Sequence, residues 1–142
     1  MRRGRTGVAA CICAVALLCV GCGGSTNGGG TVVCDGTPLS PDAIRLPADF
    51  PIPDAAVLIT ASKAGPSQVV DGYYRGDLQE AYHGWKDAFE TAGYTVIFDE
   101  IEVTDSEVAY QSGDGRSIGQ VSLRTDCIED GRTSVHITNR PT

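Results

Sequence analysis

Apolar side chains recur at intervals of three and four residues between Asp77 and Gly93, which predicts an amphipathic helix. Asp77 is a suitable N-cap, Glu80 completes a D-x-x-E capping box, and Gly93 is placed to end the helix. We interpret the aromatic residues on this stripe as core rather than as a platform for a sugar. The stripe consists of Leu78, Tyr82, Trp85, Phe89 and Ala92.

Shorter segments with β-branched and aromatic residues predict strands on both sides of this helix, separated by turn-forming residues. Short connections favour antiparallel pairing, and one helix can cover only one face of a sheet. The sequence therefore predicts an α+β domain, with an antiparallel sheet of about five or six strands in the order β-β-α-β-β-β-β. The predicted strands are 56–62, 68–74, 94–103, 108–111, 118–127 and 133–138.

The last two predicted strands allow a prediction of register. A three-residue loop, 129–131, with Gly131 in the left-handed conformation places Leu123 opposite Ile137 on the core face. A two-residue turn would put the apolar residues of the two strands on opposite faces.

The other face of this hairpin is the candidate binding surface, and we expect it to be polar and open. Arg124 and His136 are candidate contacts for an anionic ligand. The alternative is that this is the polar, solvated face of any two-layer domain. Its residues are Ser122, Arg124, Ser134, His136 and Thr138.

No motif in the sequence identifies a reaction. The acidic run 99–107 suggests calcium, but it lacks EF-hand spacing, and a solvated strand edge explains it better. No G-x-S-x-G elbow is present, and no serine or cysteine motif accompanies His83 or His136. We therefore assign no catalytic residue, no metal ligand and no cofactor.

The N-terminus is typical of a secretory leader. Residues 1–7 are basic, and the apolar run 8–20 is too short to span a membrane, which takes about 20 residues. Val20-Gly21-Cys22 resembles the lipobox of bacterial lipoproteins, although Cys19 stands where that family usually has leucine. The resemblance implies that Cys22 is lipidated and begins the mature chain. The alternative is an ordinary signal peptide, cleaved near residues 21–26, that releases a soluble protein.

Charge limits the partners of such a mature chain. The formal net charge is −7, and Arg2, Arg3 and Arg5 all lie in the leader, whereas the first acidic residue is Asp35. Removing the leader leaves 8 basic and 18 acidic residues, a net charge of about −10. This surface repels nucleic acid, which we exclude as a partner, and anionic lipid headgroups. We expect the membrane to be contacted only through lipidated Cys22.

Two cysteines remain once the leader is removed and Cys22 is lipidated. Cys34 and Cys127 are an even pair in the oxidising compartment that the resemblance implies, so we predict a disulfide between them. The competing interpretation is two free or metal-binding thiols, but neither Cys34 nor Cys127 belongs to a CxxC pair.

Two further segments resemble small bacterial envelope lipoproteins of uncharacterised function: ADFPIPDAAVL and DLQEAYHGWKDAFETAGYTV. The resemblance covers most of residues 47–98 and the lipobox. The composition of the chain divides it into a predicted leader at 1–21, a flexible, glycine- and proline-rich tether at 22–46 and an α+β domain at 47–142. The resemblance implies a lipid anchor on the extracytoplasmic side of the cell membrane and brings no catalytic residue. We expect a non-catalytic binding or structural module, with an envelope protein as a possible partner. The alternatives are a docking subunit or inhibitor of an envelope enzyme, and an enzyme acting on envelope polymers.

Overall fold

Six antiparallel strands form one sheet, and one long helix packs on one of its faces. The structure is a computed structural model and describes residues 31–142. This confirms the α+β class and the predicted element order, while the predicted leader and the predicted lipidation site, Cys22, lie outside the described residues. The elements are β1 (Ala56–Ala64), β2 (Ser67–Arg75), α1 (Leu78–Thr91), β3 (Thr95–Ile101), β4 (Asp105–Gln111), β5 (Ser117–Arg124) and β6 (Arg132–Pro141). Their order across the sheet is β1-β2-β6-β5-β4-β3.

Local signals at both ends determine where α1 begins and ends. The carboxylate of Asp77 accepts a hydrogen bond from the Glu80 amide at 2.9 Å, and the Glu80 side chain accepts one from the Asp77 amide at 3.0 Å. Gly93 follows the helix with a positive φ of 78°, as predicted. Tyr82, Trp85 and Phe89 are buried, which confirms their interpretation as core residues.

The core lies between α1, the sheet and the proline-rich segment that precedes β1. Phe50 from that segment is buried and packs against the rings of Phe89 and Tyr110, with centroid separations of 5.6 and 5.4 Å. Leu39, Ile44 and Leu46 also pack against the core. The latter part of the segment assigned to the tether therefore contributes to the domain's packing.

The predicted register of the last hairpin is wrong by two residues. Leu123 pairs with Val135, not with Ile137, because the connection is a short 3-10 helix over Thr125–Asp130 and not a three-residue loop. Gly131 ends this turn with a φ of 65°, so its left-handed conformation is confirmed. A displacement by two keeps every side chain on the predicted face, because the side-chain period of a strand is two residues.

Cys127 lies in this turn rather than in β5, which ends at Arg124. It is buried, and its Sγ lies next to that of Cys34, with the Cα atoms 5.4 Å apart. This geometry is compatible with the predicted disulfide. The pair joins the segment before β1 to the β5–β6 connection. Within residues 31–142, no helix is long and apolar enough to cross a membrane.

Candidate functional site

The sheet face opposite α1, which we call the open face, carries a polar row that crosses all six strands. Each residue of the row is the cross-strand partner of the next. Directly opposed side chains on one face have Cβ atoms about 4.5–5.5 Å apart, so neighbours along the row can interact. In order from β1 to β3, the row is Thr60, Asp71, His136, Ser122, Glu107 and Glu100.

At the centre of this row, Asp71 and His136 form a hydrogen-bonded pair. His136 Nδ1 lies 2.6 Å from Asp71 Oδ1, and the Thr60 hydroxyl donates to Asp71 Oδ2 at 3.2 Å. The Asp71 side chain is only 6% exposed and that of His136 is 21% exposed. A carboxylate accepts hydrogen bonds and has none to donate, so Nδ1 of His136 carries the proton of this contact. In neutral His136, Nε2 is then the acceptor.

Small polar side chains surround His136 on the remaining sides. Ser122 faces it from β5, and the Ser122 hydroxyl accepts a hydrogen bond from the Gln120 amide at 2.9 Å. No hydrogen bond joins Ser122 to His136 among residues 31–142. Ser122 is therefore part of the polar surface beside His136, whose orientation is determined by its hydrogen bond to Asp71.

On the open face, β5 and β6 carry the polar residues that the sequence predicts, but not all of these positions are open. Ser134 is 6% exposed, and its hydroxyl lies 3.3 Å from both the Arg124 carbonyl and an Asp126 carboxylate oxygen. The connection that follows β5 brings Asp126 over this position. Ser134 is thus a structural hydrogen-bond donor, while Ser122 and His136 remain partly exposed and Arg124 exposed.

Both positive candidates of the open face already have an acidic partner. Arg124 Nε lies 3.2 Å from Asp126 Oδ2, and His136 is bonded to Asp71. These two carboxylates offset the positive charge that would attract an anion to this face. The arrangement of hydroxyls, an amide and a compensated guanidinium suits a polar ligand without a strong negative charge.

The sequence interpretation missed Asp71, which organises this site. An acidic residue in the middle of the apolar run QVVDGYY was the available signal, because an unpaired buried carboxylate is costly. Its partner His136 is 65 residues away in the chain, and no local pattern links the two.

A second cluster of titratable side chains joins α1 to the edge strand β3. The Tyr82 hydroxyl donates a short hydrogen bond to Asp99, and Lys86 Nζ lies 2.9 Å from the same carboxylate oxygen. These contacts, with the Tyr82 bond foremost, lower the pKa of Asp99 below its ordinary value, and Asp99 in turn raises the pKa of Tyr82 and of Lys86. The cluster fastens the helix to the sheet.

The rest of the acidic run extends through the β3–β4 turn into β4. Glu100 and Glu102 are exposed, whereas Glu107 is partly buried on the open face. In the described part of the chain, no three histidine, cysteine or acidic side chains are grouped as ligands of a metal ion.

Comparisons of the chain with protein-family models, with curated proteins and with solved structures found no match.

Proposed function

We propose that this protein is a lipid-anchored extracytoplasmic lipoprotein of the cell envelope, whose domain is a non-catalytic binding module. The observation that carries the proposal is the pair Cys34–Cys127, which lies at disulfide distance in the folded domain. Disulfides persist in oxidising compartments and are rare in the cytosol. This agrees with the export signal and with the lipobox-like Val20-Gly21-Cys22.

The open face around His136 is the binding surface of this proposal. The Asp71 carboxylate is almost fully buried, although it lies on the sheet face away from the core. A face that served only to keep the protein soluble would carry exposed charges instead. The two hydrogen bonds of Asp71 hold His136 in one orientation. Such preorganisation lowers the entropy that a ligand contact would otherwise cost. The ligand we expect is a polar group of an envelope component without strong negative charge.

The anchor is tested by the intact mass of the protein extracted from membranes. The expected mass is that of residues 22–142 plus lipid, less two hydrogens for the disulfide. Cys22→Ser should abolish the lipid adduct, whereas the matched variant Cys19→Ala, which changes the other cysteine near the cleavage site, should retain it. A mature chain that begins elsewhere and carries no lipid would contradict the anchor.

The binding surface is tested by crosslinking in intact envelopes. The doubly substituted protein His136→Ala with Arg124→Glu should lose its crosslinked partner. Its matched control, His83→Ala with Arg45→Glu, makes the same chemical changes at exposed positions away from the open face and should retain the partner. Equal crosslinking by both proteins would place the contact elsewhere.

A further inference from the structure

A groove opens at the end of the domain where α1 begins and where the β3–β4 and β5–β6 connections meet. Its volume is about 520 Å³. A smaller cavity of about 80 Å³ shares four of its lining residues and continues it toward Thr133. The apolar side chains that line the groove are Leu78, Ile101, Val103 and Ile128.

Two of these apolar side chains project into solvent. Val103 is 92% exposed and Ile128 is 67% exposed, whereas the other large apolar residues of the two connections are partly or fully buried. Each side chain lies on a connection between strands and not in the core. Exposed apolar groups gathered at a concave surface are a property of interaction sites rather than of an ordinary solvated end.

The two connections that carry these side chains are strongly acidic. Segments 101–105 and 125–130 together hold five carboxylates and no lysine, arginine or histidine. Asp126 is paired with Arg124, but Glu102, Glu129 and Asp130 form no ion pair among residues 31–142. Arg132, which lines the smaller cavity, is stacked over the Tyr73 ring at 4.4 Å. The two connections that border the groove therefore form an acidic rim, and Glu102 lines the groove itself beside its apolar residues.

We propose that this groove docks an amphipathic, positively charged segment of a partner protein, with its apolar face on Val103 and Ile128 and its basic residues against the acidic rim. Apolar anchors in a groove, framed by complementary charge, are a recurrent mode of peptide recognition. A second copy of this chain fits poorly, because its net charge of −7 would bring like charges together. An anionic lipid surface is repelled for the same reason.

The test measures binding of fluorescent 18-residue peptides to the full protein as purified, held in phosphatidylcholine nanodiscs if it carries lipid. An amphipathic helical peptide of leucine and lysine should bind, and more weakly as salt is raised. The same composition, scrambled so that it has no apolar face, and a leucine–glutamate peptide should each bind at least about tenfold more weakly.

Variants of the protein locate the contact. Val103→Ser and Ile128→Ser should each weaken binding of the leucine–lysine peptide by about tenfold, the effect of removing one buried aliphatic side chain. Ile97→Ser, at an exposed isoleucine on the edge strand β3, is the matched control and should bind like the parent. Circular dichroism and the melting temperature verify that all three variants remain folded.

Three results would overturn the proposal. The first is no binding, or equal binding of the ordered and scrambled peptides. The second is peptide binding that both groove variants retain. The third is that the protein binds added phosphatidylcholine vesicles but no peptide, and that Val103→Ser abolishes the vesicle binding. This result would assign the exposed side chains to a lipid surface. Val33 and Cys34 lie against Cys127, the neighbour of Ile128, so the first described residues are near the groove and this control is necessary.

Discussion

The Asp71–His136 pair should make a measurable and asymmetric contribution to the stability of the domain. The perturbation is a double-mutant cycle of Asp71→Ala, His136→Ala and the combined variant. A hydrogen bond that involves a charged group contributes about 1.5–3 kcal/mol. Because the His136 side chain is 21% exposed, solvent reduces this value, and we expect a coupling free energy of about 1–2 kcal/mol.

The asymmetry follows from what each single variant leaves behind. His136→Ala leaves a buried carboxylate with Thr60 as its remaining side-chain partner, which should cost about 2–3 kcal/mol. Asp71→Ala removes the buried charge itself and leaves an imidazole that can rotate toward solvent. It should therefore cost about 1 kcal/mol less than His136→Ala.

Urea unfolding at pH 7 measures these free energies. The control is His83→Ala, at an exposed histidine, whose free energy of unfolding should lie within about 0.5 kcal/mol of that of the parent. The reasoning is refuted by a coupling below about 0.5 kcal/mol, or by Asp71→Ala being the more destabilising single change. Nitrogen-15 NMR gives an independent check, because neutral His136 should be protonated at Nδ1. A signal from Nε2–H with unprotonated Nδ1 would contradict the assigned geometry.

The remaining predictions concern the framework of the domain. Gly72→Ala should cost about 3 kcal/mol or more in urea unfolding, because the new Cβ would lie 2.0 Å from the Val57 carbonyl oxygen on the neighbouring strand. Replacing Cys34 and Cys127 by serine should lower the free energy of unfolding by about 4–5 kcal/mol, because the disulfide closes a loop spanning 93 residues and so restricts the unfolded chain. Unchanged stability would mean that no disulfide forms. The stabilisation from the lowered pKa of Asp99 is present above its ordinary pKa of 3.8 and is lost as pH falls through the lower folded value. Asp99→Asn should therefore be less stable than the parent at pH 7, and the difference should shrink as the pH falls below 3.8.

Features determined by neighbouring residues could be predicted from the sequence. The helix is an example, since Asp77, Glu80 and Gly93 lie within one turn of its ends and act on its own backbone. Faces of strands could also be predicted, because the alternation of apolar and polar residues survives an error in register. This is why His136 and Ser122 lie on the predicted face although the predicted pairing of Leu123 is wrong.

Features determined by distant residues could not be predicted. The β5–β6 connection is longer than its glycine suggested, because Cys127 within it is buried against the segment of Cys34. The polar row depends on β2 lying beside β6, two strands that are far apart in the chain. Without that pairing, Asp71 has no visible partner, and His136 is one polar residue among several.

The 3-10 turn over Thr125–Asp130 links the two proposed surfaces. Its Ile128 lines the groove, while its Asp126 pairs with Arg124 and accepts the Ser134 hydroxyl on the open face. A partner in the groove would therefore contact the same turn that limits access to one side of the open face. Ile128→Ser changes the groove alone, because that side chain is mostly exposed, whereas any change at buried Cys127 would disturb both surfaces. Because the turn contacts each surface through a different side chain, we expect binding at the groove to alter crosslinking at the open face.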